Sequence, residues 1–166
     1  TPNPSMNPTK PKIQSILFVC WGNICRSPSA ENVMRQLLEN SELNDVLCDS
    51  AGTISAHQGN PPDPRMTAAG KRRGLPMTGR ARGVTQSDFE RFDLILAMDR
   101  SNLEDLKHMA PNDAAQAKIR LFCDFCRTRD AKEVPDPYYG GAHGFERVLD
   151  LLEDGCEGIL EHLKDC

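Results

Sequence analysis

The chain has 166 residues, of which 27% are charged, and its formal net charge is −4. This length predicts one domain with a single buried core, and the acidic balance argues against a general nucleic-acid binder or a basic membrane-surface protein. The sequence contains no apolar run of membrane-spanning length and no signal-peptide core at its N-terminus. Seven cysteines, an odd number, are more typical of a reducing cytoplasm than of a disulfide-bonded extracellular domain.

The first residues differ in composition from the rest of the chain. Residues 1–12 contain four prolines and no apolar periodicity. This composition predicts a flexible N-terminal arm. We therefore expect a single folded domain over residues 13–166.

A short apolar run begins this domain and leads into a helix. Residues 16–19 are Ile, Leu, Phe and Val, which is typical of a buried strand in a parallel sheet. Ser27 is predicted to cap the following helix, with Pro28 in its first turn. Apolar residues then recur at helical spacing: Ala30, Val33, Met34, Leu37 and Leu38.

The loop between this strand and helix has the residue types of an anion site that carries a nucleophile. Cys20 would face backbone N–H groups and the positive end of a helix, which favour a thiolate near neutral pH. Arg26, after five intervening residues, can bind two oxygens of a tetrahedral oxyanion. Gly22 and Asn23 tolerate the positive φ that such a loop requires, and the Ser27 hydroxyl can bond to the thiolate. The pattern predicts nucleophilic attack on phosphorus; a buried structural cysteine is the alternative.

Strands and helices alternate along the remaining chain. Strands are predicted at residues 46–50, 94–98 and 119–122, and helices at 65–73, 85–91, 99–108 and from His143 to the C-terminus. This alternation predicts an α/β fold: a three-layer sandwich with a central, mainly parallel four-stranded sheet and helices on both faces. Ligand sites in such sheets lie beyond the strand C-termini, where Cys20, Ser50 and Asp99 are expected to meet.

A Cys-x-x-Cys pair, Cys123 and Cys126, follows the last predicted strand. A zinc site would need a second pair of ligands, and the sequence offers none with suitable spacing nearby. A thioredoxin-like redox pair would open a helix rather than end a strand. The pattern therefore favours a structural role over a redox role, and we expect no metal and no cofactor.

Several ordered motifs resemble those of one enzyme family. They are VCWGNICRSPSAE (residues 19–31), DSAGT (49–53), GNPPD (59–63), AMDRSNLEDL (97–106) and DPYYG (136–140). In this order they resemble the low-molecular-weight protein tyrosine phosphatases, and the resemblance extends from about Ile13 to the C-terminus.

The resemblance implies an enzyme that hydrolyses phosphotyrosine and aryl phosphate monoesters through a cysteinyl-phosphate intermediate. Cys20 would be the nucleophile, Arg26 the phosphate ligand, and Asp136 the general acid and then the base. The loop residues that would surround the phosphate are Trp21, Gly22, Asn23, Ile24, Cys25 and Ser27. Tyr138 and Tyr139 would form the pocket rim.

The resemblance also implies partners and a support for the loop. Expected partners are phosphotyrosine-containing proteins, with inorganic phosphate or other oxyanions as product or inhibitor; we expect a cytoplasmic monomer without nucleic-acid or membrane partners. Asn23, Ser27 and Ser50 would form a hydrogen-bond network, although Ser50 as an ordinary strand-end serine remains open. Family members often add a histidine to it near position 79 or 80, and this sequence has none there.

Two loop residues have open alternatives. Trp21 stands where the family usually has an aliphatic residue; it could stack on a phenyl ring or be half-buried on the loop. Cys25 could form a reversible disulfide with Cys20 that protects the nucleophile from irreversible oxidation, or it could simply be buried behind the loop.

Three rival functions remain open on the same motifs. Protein-arginine phosphatases share this fold but tend to carry threonine at the position of Ile24. Arsenate reductases use the same loop with extra redox cysteines, and Cys123 and Cys126 are poorly placed for that role. A non-enzymatic phosphoprotein-binding module would keep Arg26 and lose Cys20 or Asp136, and both are present.

Overall fold

The computed structural model describes residues 12–137 and 141–165. The predicted N-terminal arm, apart from its last residue, and the predicted rim residues Tyr138 and Tyr139 lie outside these ranges. Among the described residues, none of the helices combines the length and the apolar character that crossing a bilayer requires.

Four strands in the described ranges form one parallel sheet. They are β1 (Ser15–Cys20), β2 (Leu47–Gly52), β3 (Leu94–Ala97) and β4 (Ile119–Leu121). Their order is β2-β1-β3-β4, and each neighbouring pair is parallel. The register pairs Cys20 with Gly52 and Val19 with Ala97, so the C-terminal ends of the central strands meet at one edge.

Helices cover both faces of the sheet. They are α1 (Arg26–Glu39), α2 (Pro64–Arg72), α3 (Asp88–Arg91), α4 (Arg100–Met109), α5 (Asp113–Lys118) and α6 (Gly141–Lys164), with a 3-10 helix at Phe122–Phe125 after β4. The connections between parallel strands need such crossovers, because a tight turn cannot return the chain to the same edge.

The alternation of side chains along β1 divides the core into two layers. Ile16 and Phe18 pack in the cluster that contains the apolar faces of α1, α2 and α6. Leu17 and Val19 point the other way, into the cluster that contains residues of α3, α4 and α5. Every residue of β1 is buried, as expected for a strand covered on both faces. The predicted fold class, a three-layer α/β sandwich, is confirmed.

Candidate active site

The loop between β1 and α1, residues 21–25, wraps around the sulfur of Cys20; we call it the cradle loop. Cys20 is the last residue of β1 and is only 3% exposed. The backbone N–H of Asn23 donates to its Sγ over 3.3 Å. Asn23 has a φ of 56°, the left-handed conformation that asparagine tolerates better than most residues. The loop therefore turns a backbone donor inward onto the sulfur.

Glycine allows close approach at two points around this loop. A Cβ at Gly22 would lie 2.9 Å from Cδ2 of His57, and a Cβ at Gly52 would lie 2.7 Å from the carbonyl oxygen of Trp21. The prediction that Gly22 supplies a positive φ is wrong, because among the described residues only Asn23 of this loop has one. Gly22 instead leaves space for the His57 ring, and Gly52 lets β2 contact the cradle loop.

A buried polar network connects the sulfur to the neighbouring strand. The Nδ2 of Asn23 donates to Ser27 Oγ over 2.8 Å and to Ser50 Oγ over 2.9 Å. Ser27 Oγ lies 3.0 Å from Cys20 Sγ. The prediction that Ser27 caps α1 is wrong: the helix begins at Arg26, Cys25 occupies the cap position, and no side chain bonds there. The Ser27 hydroxyl is turned toward the nucleophile instead.

The network ends on a carboxylate that the sequence pattern places in the first turns of the helix but does not assign to the site. Ser50 Oγ donates to Glu31 Oε1 over 2.6 Å, and Arg35 Nη2 lies 2.6 Å from Glu31 Oε2. Glu31 is only 4% exposed. Burial raises the pKa of the Glu31 carboxyl, an effect that the bond from Ser50 and the charge of Arg35 only partly offset.

Arg26 is buried and held by two acceptors from distant parts of the chain. Its Nη1 lies 2.7 Å from Asp99 Oδ2, at the end of β3, and donates to the Val134 carbonyl oxygen over 3.0 Å. Burial alone would lower the pKa of Arg26, but the negative charges of Cys20 and Asp99 raise it above its ordinary value. The guanidinium is therefore a fixed, permanently charged group beside the sulfur.

Asp136 approaches the same guanidinium from the opposite end of the chain. Its Oδ2 lies 3.8 Å from Arg26 Nη2, and its side chain is 42% exposed. The preceding segment is fixed where the Val134 N–H donates to the Met98 carbonyl oxygen over 2.8 Å, and β3 ends immediately before Met98. The structure thus brings Cys20, Arg26 and Asp136 to one place.

A cavity of about 450 Å³ opens over these three residues. The cradle loop contributes Trp21, which is 51% exposed, together with Ile24 and Cys25. The cavity thus has an apolar wall above a polar, positively charged floor, the arrangement typical of a small-molecule site.

Another wall of the cavity comes from the start of α2 and from α6. The sequence pattern does not identify Arg65 and Phe145 as members of this wall. Asp63 caps α2 by accepting the Arg65 N–H over 2.8 Å, and its own N–H donates to the Ile24 carbonyl oxygen over 2.6 Å. The guanidinium of Arg65 lies 4.9 Å above the ring of Phe145. These contacts tie the wall to the cradle loop, and His57 completes it.

The remaining cysteines differ in their relation to the cavity. Cys25 lines it, and burial raises the pKa of its thiol, with the nearby negative charge of Cys20 raising it further. Cys123, in the 3-10 helix, and Cys126, directly after it, are free thiols, and neither lines the cavity. In the described part of the chain, no group of three or more His, Cys, Asp or Glu side chains is arranged to hold a metal ion.

Comparisons with known proteins agree on one family. Residues 15–166 match the family model described as low molecular weight phosphotyrosine protein phosphatase. A human protein of that name is 42% identical over 150 residues, which cover 89% of this chain and 94% of the human one. One from Schizosaccharomyces pombe is also 42% identical, over 89% of this chain and 96% of its own. A crystal structure of a protein tyrosine phosphatase from Entamoeba histolytica, with Hepes in its active site, superposes with a TM-score of 0.88 at 48% identity and covers 92% of this chain and 97% of that one.

Proposed function

This chain belongs to the low molecular weight phosphotyrosine protein phosphatase family, and on that premise we propose that it hydrolyses phosphotyrosine and other aryl phosphate monoesters through a cysteinyl-phosphate. The observation that carries the proposal is the position of Cys20 Sγ, which receives the Asn23 N–H and contacts the Ser27 hydroxyl at the floor of the cavity. These contacts fix the sulfur at the cavity, where it can attack a bound phosphoryl group.

The first step transfers the phosphoryl group to sulfur. The Cys20 thiolate attacks phosphorus, a sulfur–phosphorus bond forms, and the bond from phosphorus to the phenolic oxygen breaks. Because Nη1 of Arg26 is already held by Asp99, the donors that we assign to the phosphoryl oxygens are Nη2 and Nε of Arg26 with the backbone N–H groups of the cradle loop. Fixed positive charge at this point stabilises the equatorial oxygens as charge develops.

The leaving phenoxide requires a proton, which we assign to Asp136. In the second step the ionised Asp136 accepts a proton from water while the water oxygen attacks phosphorus. The sulfur–phosphorus bond then breaks, inorganic phosphate leaves, and the Cys20 thiolate is regenerated. We assign both roles, acid and base, to this one carboxyl, and the distance of 3.8 Å between its Oδ2 and Arg26 Nη2 supports the assignment.

The cavity walls support an aryl substrate. Trp21 is half exposed and offers an apolar ring face at the cavity, and offset stacking on a phenyl ring is favourable. We therefore assign phosphotyrosine in proteins as the substrate class and phosphate or related oxyanions as product and competitive inhibitors. Tyr138 and Tyr139 stay predicted rim residues, since they lie outside the described part of the chain.

The proposal also covers the domain organisation, the cellular location and the oligomeric state of the protein. We place the activity in a single domain over residues 13–166, acting as a cytoplasmic monomer. The family match over residues 15–166 supports one catalytic domain. An odd number of cysteines with a thiol nucleophile among them supports a reducing compartment.

The rival functions are less well supported. A protein-arginine phosphatase would be expected to carry a smaller, polar residue at position 24. Ile24 instead contributes an apolar side chain to the cavity lining. Arsenate reduction by Cys123 and Cys126 would require thiols within reach of Cys20, but these two lie outside the cavity lining.

Steady-state assays on matched substrates test the proposal. We expect turnover of a phosphotyrosine peptide, little or none of the same peptide with phosphoarginine, and no arsenate reduction with a thiol donor. Activity should survive a chelator, because the charge of Arg26 and the backbone N–H donors of the cradle loop stabilise the phosphoryl oxygens. Preference for phosphoarginine, or loss of activity with chelator that added metal restores, would contradict it.

The position of Cys25 supports regulation by oxidation. Peroxide converts the Cys20 thiolate to a sulfenic acid, which removes one of the charges that keep Cys25 protonated. Sulfur of Cys25 can then attack sulfur of Cys20, forming a disulfide as the S–O bond breaks and water leaves. We predict that mild peroxide yields a Cys20–Cys25 disulfide in peptide maps and that dithiothreitol restores activity.

The matched variant for this prediction is Cys25→Ala. It should lose activity to peroxide irreversibly, because Cys20 sulfenic acid would be oxidised further without a thiol partner. Cys126→Ala, which removes a thiol outside the cavity, should recover with dithiothreitol as the parent does. Equal recovery of the Cys25 variant would rule out protection by this residue.

A further inference from the structure

Asn23 fixes the direction of every bond in the network beneath the cradle loop. Its Oδ1 accepts the backbone N–H of Arg82 over 3.0 Å, so the other side of the amide must be Nδ2, which can only donate. The opposite amide orientation would set an NH2 group against an N–H donor. Both Nδ2 hydrogens are therefore given to serine oxygens, those of Ser27 and Ser50.

The two serine hydroxyls must consequently direct their own protons away from Asn23. Ser27 has Cys20 Sγ at 3.0 Å and the Ala51 carbonyl oxygen at a longer 3.4 Å. Ser50 has one acceptor in this network, Glu31 Oε1 at 2.6 Å. A buried carboxyl group at one end and the reactive sulfur at the other thus define a single orientation for the three groups between them, Ser50, Asn23 and Ser27.

We propose that Glu31 is a positioning residue for the nucleophile: its carboxylate holds Ser50 and Asn23 so that Ser27 donates its proton to Cys20. This proposal rests on the proposed cysteinyl-phosphate chemistry. Glu31 touches neither substrate nor sulfur and acts only through the chain of bonds.

Glu31 is suited to this role because both of its oxygens have partners in a buried position. Arg35, on the same helix, pairs with its other oxygen at 2.6 Å. From the neighbouring elements, Arg82 favours the ionised form, whereas Asp49 and burial disfavour it. At 2.6 Å the contact between Ser50 and Glu31 is the shortest in this chain of bonds, so the carboxyl is well placed to fix the orientation of Ser50.

The test reads the state of Cys20 directly, without turnover. Iodoacetate alkylation of the phosphate-free protein is followed against pH, with the labelled cysteine identified by mass spectrometry. In Glu31→Gln we expect the pH of half-maximal reactivity to move upward and the rate of phosphoenzyme formation to fall roughly tenfold, the size of one lost charge-assisted bond. KM should change less than the rate of this step, since Glu31 makes no contact with substrate.

Two further variants separate positioning from general loss of structure. Ser50→Ala cuts the connection between Glu31 and Asn23, so its effect should not add to that of Glu31→Gln in the double variant. Asp154→Asn weakens a different buried carboxylate, which accepts backbone N–H groups of residues 127–129, and should leave the alkylation profile unchanged.

Each outcome decides the proposal. An unshifted profile for folded Glu31→Gln, or additive effects with Ser50→Ala, would overturn it. If Glu31→Gln does not fold, Glu31→Asp gives the same decision, because its carboxylate is one methylene too short for the 2.6 Å contact. If the parent protein alkylates at Cys20 but hydrolyses no aryl phosphate, the proposed function fails, while the alkylation profiles still decide the role of Glu31.

Discussion

Replacing Cys20 with serine should abolish hydrolysis of aryl phosphates while phosphate binding survives. A serine hydroxyl is a much weaker nucleophile than a cysteine sulfur, so attack on phosphorus is lost, at a cost of roughly 10⁴-fold or more in kcat. Arg26 and the backbone N–H groups of the cradle loop remain, and we expect them still to bind the anion. The measurements are steady-state hydrolysis of p-nitrophenyl phosphate and calorimetric titration with inorganic phosphate.

Cys126→Ser is the matched control for this experiment. It makes the same chemical change at a thiol that does not line the cavity, and it should keep most of the parent activity. Substantial turnover by Cys20→Ser would mean that another group attacks phosphorus. If Cys20→Ser loses both phosphate binding and turnover, the substitution disturbs the whole cradle loop. The nucleophile would then need to be identified by trapping the phosphoenzyme.

The sequence is most informative where local chemistry and periodicity agree. The apolar run before Cys20 and the helical repeat after Pro28 predict a strand, a loop and a helix, and the structure contains β1 and α1 at these positions. Alternation of strands and helices predicts the parallel sheet for the same reason: each parallel connection needs a crossover. Among the described elements, α5 and the 3-10 helix at Phe122–Phe125 escape the pattern: six residues rich in alanine give no apolar stripe, and the sequence predicts that the last strand extends to residue 122.

The sequence is least informative about which polar groups meet across the fold. Serine is a residue type that often caps helices, but in the folded chain the Ser27 hydroxyl contacts Cys20 Sγ instead. Asp99 can be placed at the strand edge from the parallel topology, yet its pairing with Arg26 depends on how far β3 extends relative to β1. The sequence places Glu31 in the first turns of the helix, and only the position of β2 shows that it accepts a hydrogen bond from Ser50.

Replacing Asp136 with asparagine should slow phosphoryl transfer by an amount that depends on the leaving group. Asparagine preserves the shape of the loop but cannot supply a proton. A phenol that leaves poorly needs protonation in the transition state, whereas a nitrophenol hardly does, so the loss should rise with leaving-group pKa toward roughly 10²–10⁴-fold. Because water activation also fails, phosphoenzyme should accumulate with activated substrates. Rapid-quench kinetics across substituted phenyl phosphates separates the two steps.

Glu133→Gln provides the control within the same segment. Its carboxylate accepts the Arg100 N–H over 2.7 Å rather than facing Arg26, so its removal can loosen the segment without removing a catalytic proton. We expect at most a small loss that is equal for all leaving groups. If Asp136→Asn behaves in this way as well, Asp136 only shapes the loop, and the proton must come from another group at the cavity opening. A steep leaving-group dependence for Asp136→Asn alone assigns the proton to this carboxyl, because loop disorder would slow every substrate alike.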